Sequence, residues 1–168
     1  MDTTTQQKMI DSALFKAAMR RITSTVTIVT SEGISGKEGL TATAVTSLSD
    51  TPPSLLVCVN KQSKAHDVIL RNKTFSIHLL NEHQEAVSNT FAGYTDRQGD
   101  DKFSIVEWAD QGQYKSMEGA LATIHCKLIE AHNGFTHNIL IGEITEITLS
   151  DENDKPLLYG NGKYTSIK

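Results

Sequence analysis

The chain has 168 residues, a formal net charge of −4 at pH 7 and an isoelectric point near 5.8. This acidic balance argues against a general nucleic-acid or anionic-membrane surface. No apolar run approaches the ~20 residues that cross a bilayer, and the polar start MDTTTQQKMIDS lacks a signal-peptide core, so we expect a cytoplasmic protein. The length suits one domain over residues 1–168, with residues 1–11 as a flexible tail.

The first part of the chain is predicted to form one helix followed by three strands. Apolar residues spaced by four predict an amphipathic helix over residues 6–22. The β-branched run at 24–31 predicts a strand, the glycines of 32–39 predict a turn, and residues 40–49 predict a second strand. The short apolar run at 55–59 predicts a third strand, buried in the core.

The middle of the chain mixes short helices with a strand and a long loop. Ser63 is placed to cap a helix over residues 64–71. Residues 74–80 read as a strand, and residues 82–93 as a helix that ends at its terminal glycine. The segment 94–118 is rich in Asp, Gly and Gln without periodicity, which predicts a long loop.

Alternating strands complete the chain. Residues 120–132 alternate, which directs Cys126 to the core and His125 to the opposite face. Residues 137–150 predict another long strand, and 155–168 a last strand with a tight glycine turn. Six or more strands without β-α-β alternation predict a mainly β fold, an antiparallel Greek-key barrel with a few accessory helices.

The sequence contains no pattern typical of a catalytic or metal centre. Cys58 and Cys126 form no C-x-x-C pair, so we expect reduced, buried thiols. The histidines lack three ligands at a typical metal-binding spacing, so we expect no metal site. A G-x-S-x-G motif is also missing, and the glycines of 33–39 lack the strand-to-helix context of a phosphate-binding loop.

Two neighbouring segments suggest a nucleotide site. The segment GLTATAVTS, residues 39–47, carries small and mostly hydroxylated side chains, which would let a flat ring such as an isoalloxazine approach the strand backbone. The segment NKQSK, residues 60–64, precedes a helix N-terminus, where cationic side chains and free N–H groups suit a phosphate. The alternatives are a closely packed strand and a solvated, capped loop. Together the two segments suggest a ligand like flavin mononucleotide (FMN).

Five motifs in order resemble the short-chain flavin reductase family. They are FKAAMRRITSTVTIVTS, GLTATAVTSLSDTPPSLLVCVN, FAGYTDRQGDDKF, GALATIHCKL and THNILIGEI. The resemblance runs from about residue 12 to residue 164. Within the family it is closest to the reductase components of two-component 4-hydroxyphenylacetate 3-monooxygenases, and flavin reductases of pyrimidine degradation are close relatives.

The resemblance implies a fold and an activity. The fold would be an FMN-binding split β-barrel, usually a homodimer. The activity would be reduction of FMN or FAD by NADH or NADPH, with reduced flavin diffusing to a partner oxygenase. Hydride passes between the two cofactors, so no catalytic side chain is expected. The competing hypothesis is a non-catalytic flavin-binding protein on the same barrel.

The resemblance also implies site residues. The isoalloxazine and ribityl chain would be lined by Thr41, Ala42, Thr43, Ala44, Val45, Thr46 and Ser47. The phosphate would meet Asn60, Lys61 and Ser63, and the flavin would be flanked by Phe91 and Ala92. The nicotinamide would be bound by His137, with Tyr164 near the same pocket.

Three further places in the chain bear on the resemblance. Lys102 and Phe103 match a basic-aromatic pair of the family, for which we expect a structural or dimer-related role. Phe135 and Thr136 precede His137 where many members have Gly-Asp, a departure shared with the hydroxyphenylacetate branch. The tail has Gly160 where an aromatic residue is common, which affects the closing wall of the nicotinamide site.

Overall fold

The computed structural model describes residues 9–112, 114–151 and 153–168, and strands dominate this part of the chain. In chain order the elements are α1 (Ser12–Met19), β1 (Ser24–Thr25), β2 (Thr27–Gly33), β3 (Gly36–Ala42), β4 (Val45–Asp50), β5 (Pro53–Asn60), α2 (Lys64–Asn72), β6 (Thr74–Leu79), α3 (Glu85–Phe91), a 3₁₀ helix (Gly99–Ile105), β7 (Trp108–Gln111), β8 (Tyr114–Met117), β9 (Ala122–Gly134), β10 (His137–Leu149), β11 (Leu158–Gly160) and β12 (Lys163–Thr165).

Seven strands form one antiparallel sheet in the order β3-β2-β6-β9-β10-β5-β4. Its two edge strands, β3 and β4, follow each other in sequence and are separated only by Thr43 and Ala44. We call these two residues the seam. The sheet therefore curls round until its edges meet at the seam, which confirms the expected antiparallel split barrel.

The barrel interior is filled by side chains from alternate strand positions. Val29, Val57, Ile77 and Leu140 are fully buried there. Cys126 belongs to this core, as alternation predicts, and burial raises the pKa of its thiol to about 12. The prediction for Cys58 is wrong, because this thiol is only half-buried. It lies on the opposite face of β5 from its core-facing neighbours.

A second core covers the outer face of β2 and β6. Ile28 and Leu80 lie on that face, and Phe91 from α3 packs on Phe103 from the 3₁₀ helix with ring centroids 5.2 Å apart. Met117 of the β7–β8 hairpin joins the same cluster. The prediction of a loop over residues 94–118 is therefore wrong, because this segment forms a 3₁₀ helix and a hairpin against the barrel.

Other boundaries differ from the sequence predictions in ways that have local causes. The strand predicted over 40–49 is broken at the seam, and the turn predicted over 32–39 shrinks to a tight hairpin between Gly33 and Gly36. The tail forms two short strands, β11 and β12, around a turn. Helix α1 begins only after Asp11, whose carboxylate accepts from the Ala13 N–H at 3.1 Å, and residues 6–8 lie outside the described part.

Two further observations concern general properties of the described residues. No helix in the described ranges combines the length and the apolar character needed to cross a membrane. In the same ranges, no three His, Cys, Asp or Glu side chains converge as a metal site.

Candidate functional site

The seam exposes backbone and small side chains at the point where the sheet splits. Thr43 and Ala44 are exposed, and neither is paired in a strand ladder of the described residues. Just before the seam, the carbonyl of Ala42 accepts from the Thr27 hydroxyl at 2.7 Å. Within it, the carbonyl of Ala44 accepts from the Cys58 N–H at 3.0 Å. These two bonds hold the seam in place between the edge strands.

Three adjoining cavities follow the predicted flavin segment 41–47. The helix cavity, about 420 Å³, lies between Thr41 and the start of α2. The tyrosine cavity, about 350 Å³, lies between Thr43 and Tyr164. The strand cavity, about 380 Å³, is lined by Thr43, Val45, Thr46 and Ser47. Thr41 lines the first two cavities and Thr43 the last two, so the three cavities follow one another along the segment. We call this row of cavities the cleft.

The helix cavity has the features of an anion site. Ser63 caps α2 by accepting from the Ala65 N–H at 3.2 Å, and both residues line the cavity together with Lys64. The helix dipole places partial positive charge at this end. Lys64 belongs to the cationic segment 60–64 but is not among the phosphate residues that the resemblance implies, and the structure places it on the cavity wall.

Asn60 and Lys61, the other two predicted phosphate ligands, do not line the helix cavity. The Asn60 side chain accepts from the Gln62 N–H at 2.9 Å and so shapes the turn into α2. The ammonium of Lys61 donates to the side-chain oxygen of Asn133 on β9. Only Ser63 of the predicted three therefore faces the cavity in the single chain.

The far wall of the helix cavity contains a largely buried ion pair. The Lys102 ammonium lies 2.9 Å from a Glu38 carboxylate oxygen and donates to the Gly39 carbonyl at 3.0 Å. The side chains of Lys102 and Glu38 are 14% and 12% exposed. Because this carboxylate balances the Lys102 charge, the pair ties the 3₁₀ helix to β3, in agreement with the structural role expected for Lys102.

Phe91 and Ala92 lie at the end of α3, as the resemblance implies for a flavin wall. Phe91 is buried, and its ring lies so near Gly39 that a Cβ there would be 2.8 Å from a ring carbon. The backbone of β3 therefore approaches the ring as closely as a glycine allows. Ala92 is exposed and lines both the helix and the tyrosine cavities.

The tyrosine cavity is organised by hydrogen bonds between the last strand and α3. The Tyr164 hydroxyl donates to the Asn89 side chain at 2.9 Å and lies 2.9 Å from the Ser88 hydroxyl. The Thr41 hydroxyl donates to the Ser88 carbonyl at 2.6 Å. Burial raises the pKa of the Tyr164 phenol, which stays a neutral donor. Sequence reasoning missed Ser88 and Asn89, which carry no motif and face the cleft only because α3 packs on β3.

His137 does not line any of the three cavities of the cleft. It opens β10 directly opposite Asn60 of β5, and its Nδ1 is 2.9 Å from the Thr136 hydroxyl. No cavity described here is lined by both His137 and Tyr164. The expectation that both share one pocket is therefore not met within one copy of the chain.

Comparison with known proteins agrees with this architecture. Residues 19–168 match the family described as flavin reductase like domain. The chain is 36% identical over 163 residues to the protein named FMN reductase (NADH) RutF of Agrobacterium fabrum, covering 96% of this chain and 90% of that protein.

Solved structures share the fold over nearly the whole chain. Flavin reductase PheA2 superposes with a TM-score of 0.85 at 30% identity, covering 95% of this chain and 99% of that one. BorF, the flavin reductase component of a bacterial two-component tryptophan halogenase, gives a TM-score of 0.84 at 27% identity, with 94% and 98% covered. The chain therefore belongs to the flavin reductase like domain family and is an oxidoreductase on an antiparallel split barrel.

Proposed function

We propose that this chain reduces FMN or FAD with NADH or NADPH and releases the reduced flavin to a partner monooxygenase. The observation that carries the proposal is the cleft of three adjoining cavities along residues 41–47, which ends at the capped N-terminus of α2. Named relatives support the choice of FMN and NADH.

The residues of the cleft fit a flavin. The exposed seam, which lies outside the strand ladders, offers backbone donors and acceptors to the edge of a flat ring. Ser63, Lys64 and the first N–H groups of α2 would hold the phosphate. Thr41 and Ala92 line the cleft between these two ends.

The chain's own residues bind and orient the flavin and the nicotinamide. A bound flavin supplies the hydride acceptor, so the reaction needs no general acid, base or nucleophile from the protein. The bond from the Thr41 hydroxyl to the Ser88 carbonyl fixes the α3 wall against β3, and Tyr164 ties the same wall to β12 through Ser88 and Asn89. Such fixed walls would hold the flavin and nicotinamide rings at reactive distance, and this positioning accounts for the gain in rate. His137 is proposed for the nicotinamide side of the site.

Release of flavin is supported by the exposure of the site. Thr43, Ala44, Thr46, Ser47 and Ala92 are all exposed, so the cleft is an open groove in one chain. BorF shows that a reductase of this family can serve a two-component system. We propose a 4-hydroxyphenylacetate 3-monooxygenase or a similar enzyme as partner, with an oxygenase of pyrimidine degradation as the alternative.

A second copy of the chain is proposed to cover the exposed apolar surface near the seam. Helix α1 has no buried residue, and Phe15 and Met19 are 55% and 45% exposed. The helix borders a cavity of about 690 Å³ that also reaches Thr43, Ala44 and Tyr159. Exposed apolar residues in such a patch mark association surfaces. Sedimentation equilibrium tests the homodimer: a monomer at micromolar concentration would refute it.

The activity is tested by steady-state NADH and NADPH oxidation with FMN and FAD in all four pairings. We expect nicotinamide absorbance to fall faster than in a protein-free control, with a preferred pairing. Flavin binding without accelerated oxidation in any pairing would instead establish a non-catalytic flavin-binding protein. Adding each oxygenase with its aromatic or pyrimidine substrate, and measuring product, then separates the two partners.

A further inference from the structure

A separate cavity of about 320 Å³ lies on the outer face of the barrel, under the β7–β8 hairpin. Its floor is formed by β2 and β6, and its side walls by Trp108 and Tyr114 of the hairpin. It shares no lining residue with the flavin cleft. Its size lies at the lower end of the range for small-ligand sites.

The floor is polar and built on buried imidazoles. The Thr30 hydroxyl lies 2.9 Å from Nε2 of His78, whose Nδ1 is 2.9 Å from the Thr123 hydroxyl. The Ser76 hydroxyl lies 2.6 Å from Nδ1 of His125. Each hydroxyl has one donor and two acceptor positions, so Thr30 and Ser76 retain hydrogen-bonding capacity toward the cavity they line.

The side walls are aromatic and tightly supported. The indole N–H of Trp108 donates to the Phe103 carbonyl at 2.8 Å, which fixes its ring beside the floor. The Tyr114 ring stacks on His125 with centroids 4.4 Å apart and 18° between planes. The Nε2 of His125 is buried without a hydrogen-bond partner among the described residues. His125 covers one face of the Tyr114 ring, and Trp108 packs on His78 with centroids 5.2 Å apart, so both rings are held at the side of the cavity. Fixed aromatic side walls beside a polar floor favour a flat ligand that carries a polar group.

The mouth carries a net positive charge. Lys37 and Lys115 line the cavity with a single carboxylate, Glu32. Glu32 lies 3.8 Å from the Lys115 ammonium, and both side chains are about half exposed, so this pair is weak. The Lys37 ammonium lies 4.6 Å from the centroid of the Phe103 ring, beside the aromatic walls. One lysine charge therefore remains for an anionic ligand.

We propose that this cavity binds a small planar aromatic carboxylate, with the ring beside Trp108 and Tyr114 and the carboxylate at Lys37 and the floor hydroxyls. The site shares no lining residue with the flavin cleft, so a ligand there would bind independently of the flavin and would not enter the reductase reaction. The proposal does not depend on the identity of the flavin or the oxygenase.

Trp108 is the single tryptophan of the sequence, so its fluorescence reports directly on the cavity. Titrating the full-length protein with benzoate, with and without saturating FMN, should give the same saturable change, with half-saturation near 1 mM or below. Line broadening of 4-fluorobenzoate in ¹⁹F NMR gives an independent readout. Benzyl alcohol, which has the ring without the charge, should bind about tenfold more weakly.

Lys37→Met and Lys115→Met each remove one mouth charge, and Lys155→Met is the matched control because Lys155 is exposed and outside the cavity. We expect a roughly tenfold weaker benzoate affinity for Lys37→Met, a smaller loss for Lys115→Met, and no change for the control. The absence of saturable binding in both readouts would overturn the proposal. So would displacement of benzoate by FMN, or an equal loss in the control variant.

Discussion

The hydroxyl of Tyr164 donates to the side chain of Asn89 across 2.9 Å and thereby joins the last strand to α3. The Ser88 hydroxyl meets the same phenol oxygen at 2.9 Å, so one side chain of the tail holds two residues of the cleft wall. The tail is therefore part of the site, although it is remote from α3 in sequence.

Removing this hydroxyl should loosen the wall. We expect Tyr164→Phe to lower the free energy of unfolding by about 1–2 kcal/mol, because the buried Ser88 hydroxyl and the half-buried Asn89 side chain lose their bonds to the phenol. Tyr94→Phe is the matched control, since Tyr94 lines the same cavity and is 80% exposed. Urea denaturation of both variants measures the difference, and equal stabilities would contradict the role given to the Tyr164 hydroxyl.

The phosphate end of the cleft can be tested by comparing two lysines. Lys64 lines the helix cavity, whereas Lys61 is engaged with Asn133. We expect Lys64→Ala to weaken FMN binding about tenfold and riboflavin binding hardly at all, because only FMN carries the phosphate. Titration of flavin fluorescence with each variant measures both affinities. Lys61→Ala should show a smaller FMN-specific loss of affinity. A larger FMN-specific loss for Lys61 would place the phosphate at the Asn60 turn, as the sequence resemblance implies.

His137 should affect the nicotinamide more than the flavin. We expect His137→Ala to raise the KM for NADH severalfold while the Kd for FMN stays within about twofold, because uniform loss of substrate binding appears in KM. Steady-state kinetics and a flavin titration on the same variant measure the two effects. If flavin affinity falls sharply instead, His137 belongs to the phosphate side, where Asn60 faces it across the ladder.

Acid should destabilise the fold through His78. Burial lowers the pKa of this imidazole to about 3, and the neighbouring His125 adds to the effect. In the unfolded chain His78 takes up a proton as the pH falls below about 6.5, whereas in the folded chain it stays neutral down to about pH 3. The free energy of unfolding is therefore greatest above pH 6.5 and falls as the pH drops toward 3. The decrease due to one such histidine approaches about 1.4 kcal/mol per pH unit. His78→Gln, compared with wild type in urea melts between pH 6.5 and 5, should show a shallower slope.

Gly160 should not tolerate a side chain. A Cβ at this position would lie 3.0 Å from the Thr23 Cβ and closer still to its hydroxyl. We expect Gly160→Ala to cost about 1–3 kcal/mol of folding free energy, with partial recovery in Gly160→Ala combined with Thr23→Ala. Thermal melts of the single and double variants measure the coupling, and additive losses would contradict the clash. The aromatic residue common at this place in the family therefore has no room here.

The elements predicted well from sequence are those whose local pattern matches their environment. Helix α2 was predicted to within one residue, because Ser63 caps it and its apolar spacing agrees with the buried face of Ala65 and Ile69. Strands β9 and β10 follow from alternation for the same reason, and Cys126 faces the core as that pattern requires. Local and tertiary preferences coincide in these segments.

The elements missed are those stabilised only by tertiary contacts. The 3₁₀ helix and the β7–β8 hairpin have no period of their own, but Phe103 and Met117 bury against the barrel and order them. The break at Thr43 is hidden in the sequence because residues 41–47 are uniformly small or β-branched, and barrel closure alone decides where the strand stops. The engagement of Lys61 with Asn133 depends on strand register, which no local motif reveals.

The seam has a mechanical consequence. Because β3 and β4 are opposite edges of one sheet and only two residues join them, a molecule seated at Thr43 touches both edges at once. It would link the two edge strands across the open side of the barrel. Flavin occupancy should therefore slow amide hydrogen exchange in β3 and β4 together, while the central strands β6 and β9 exchange as before.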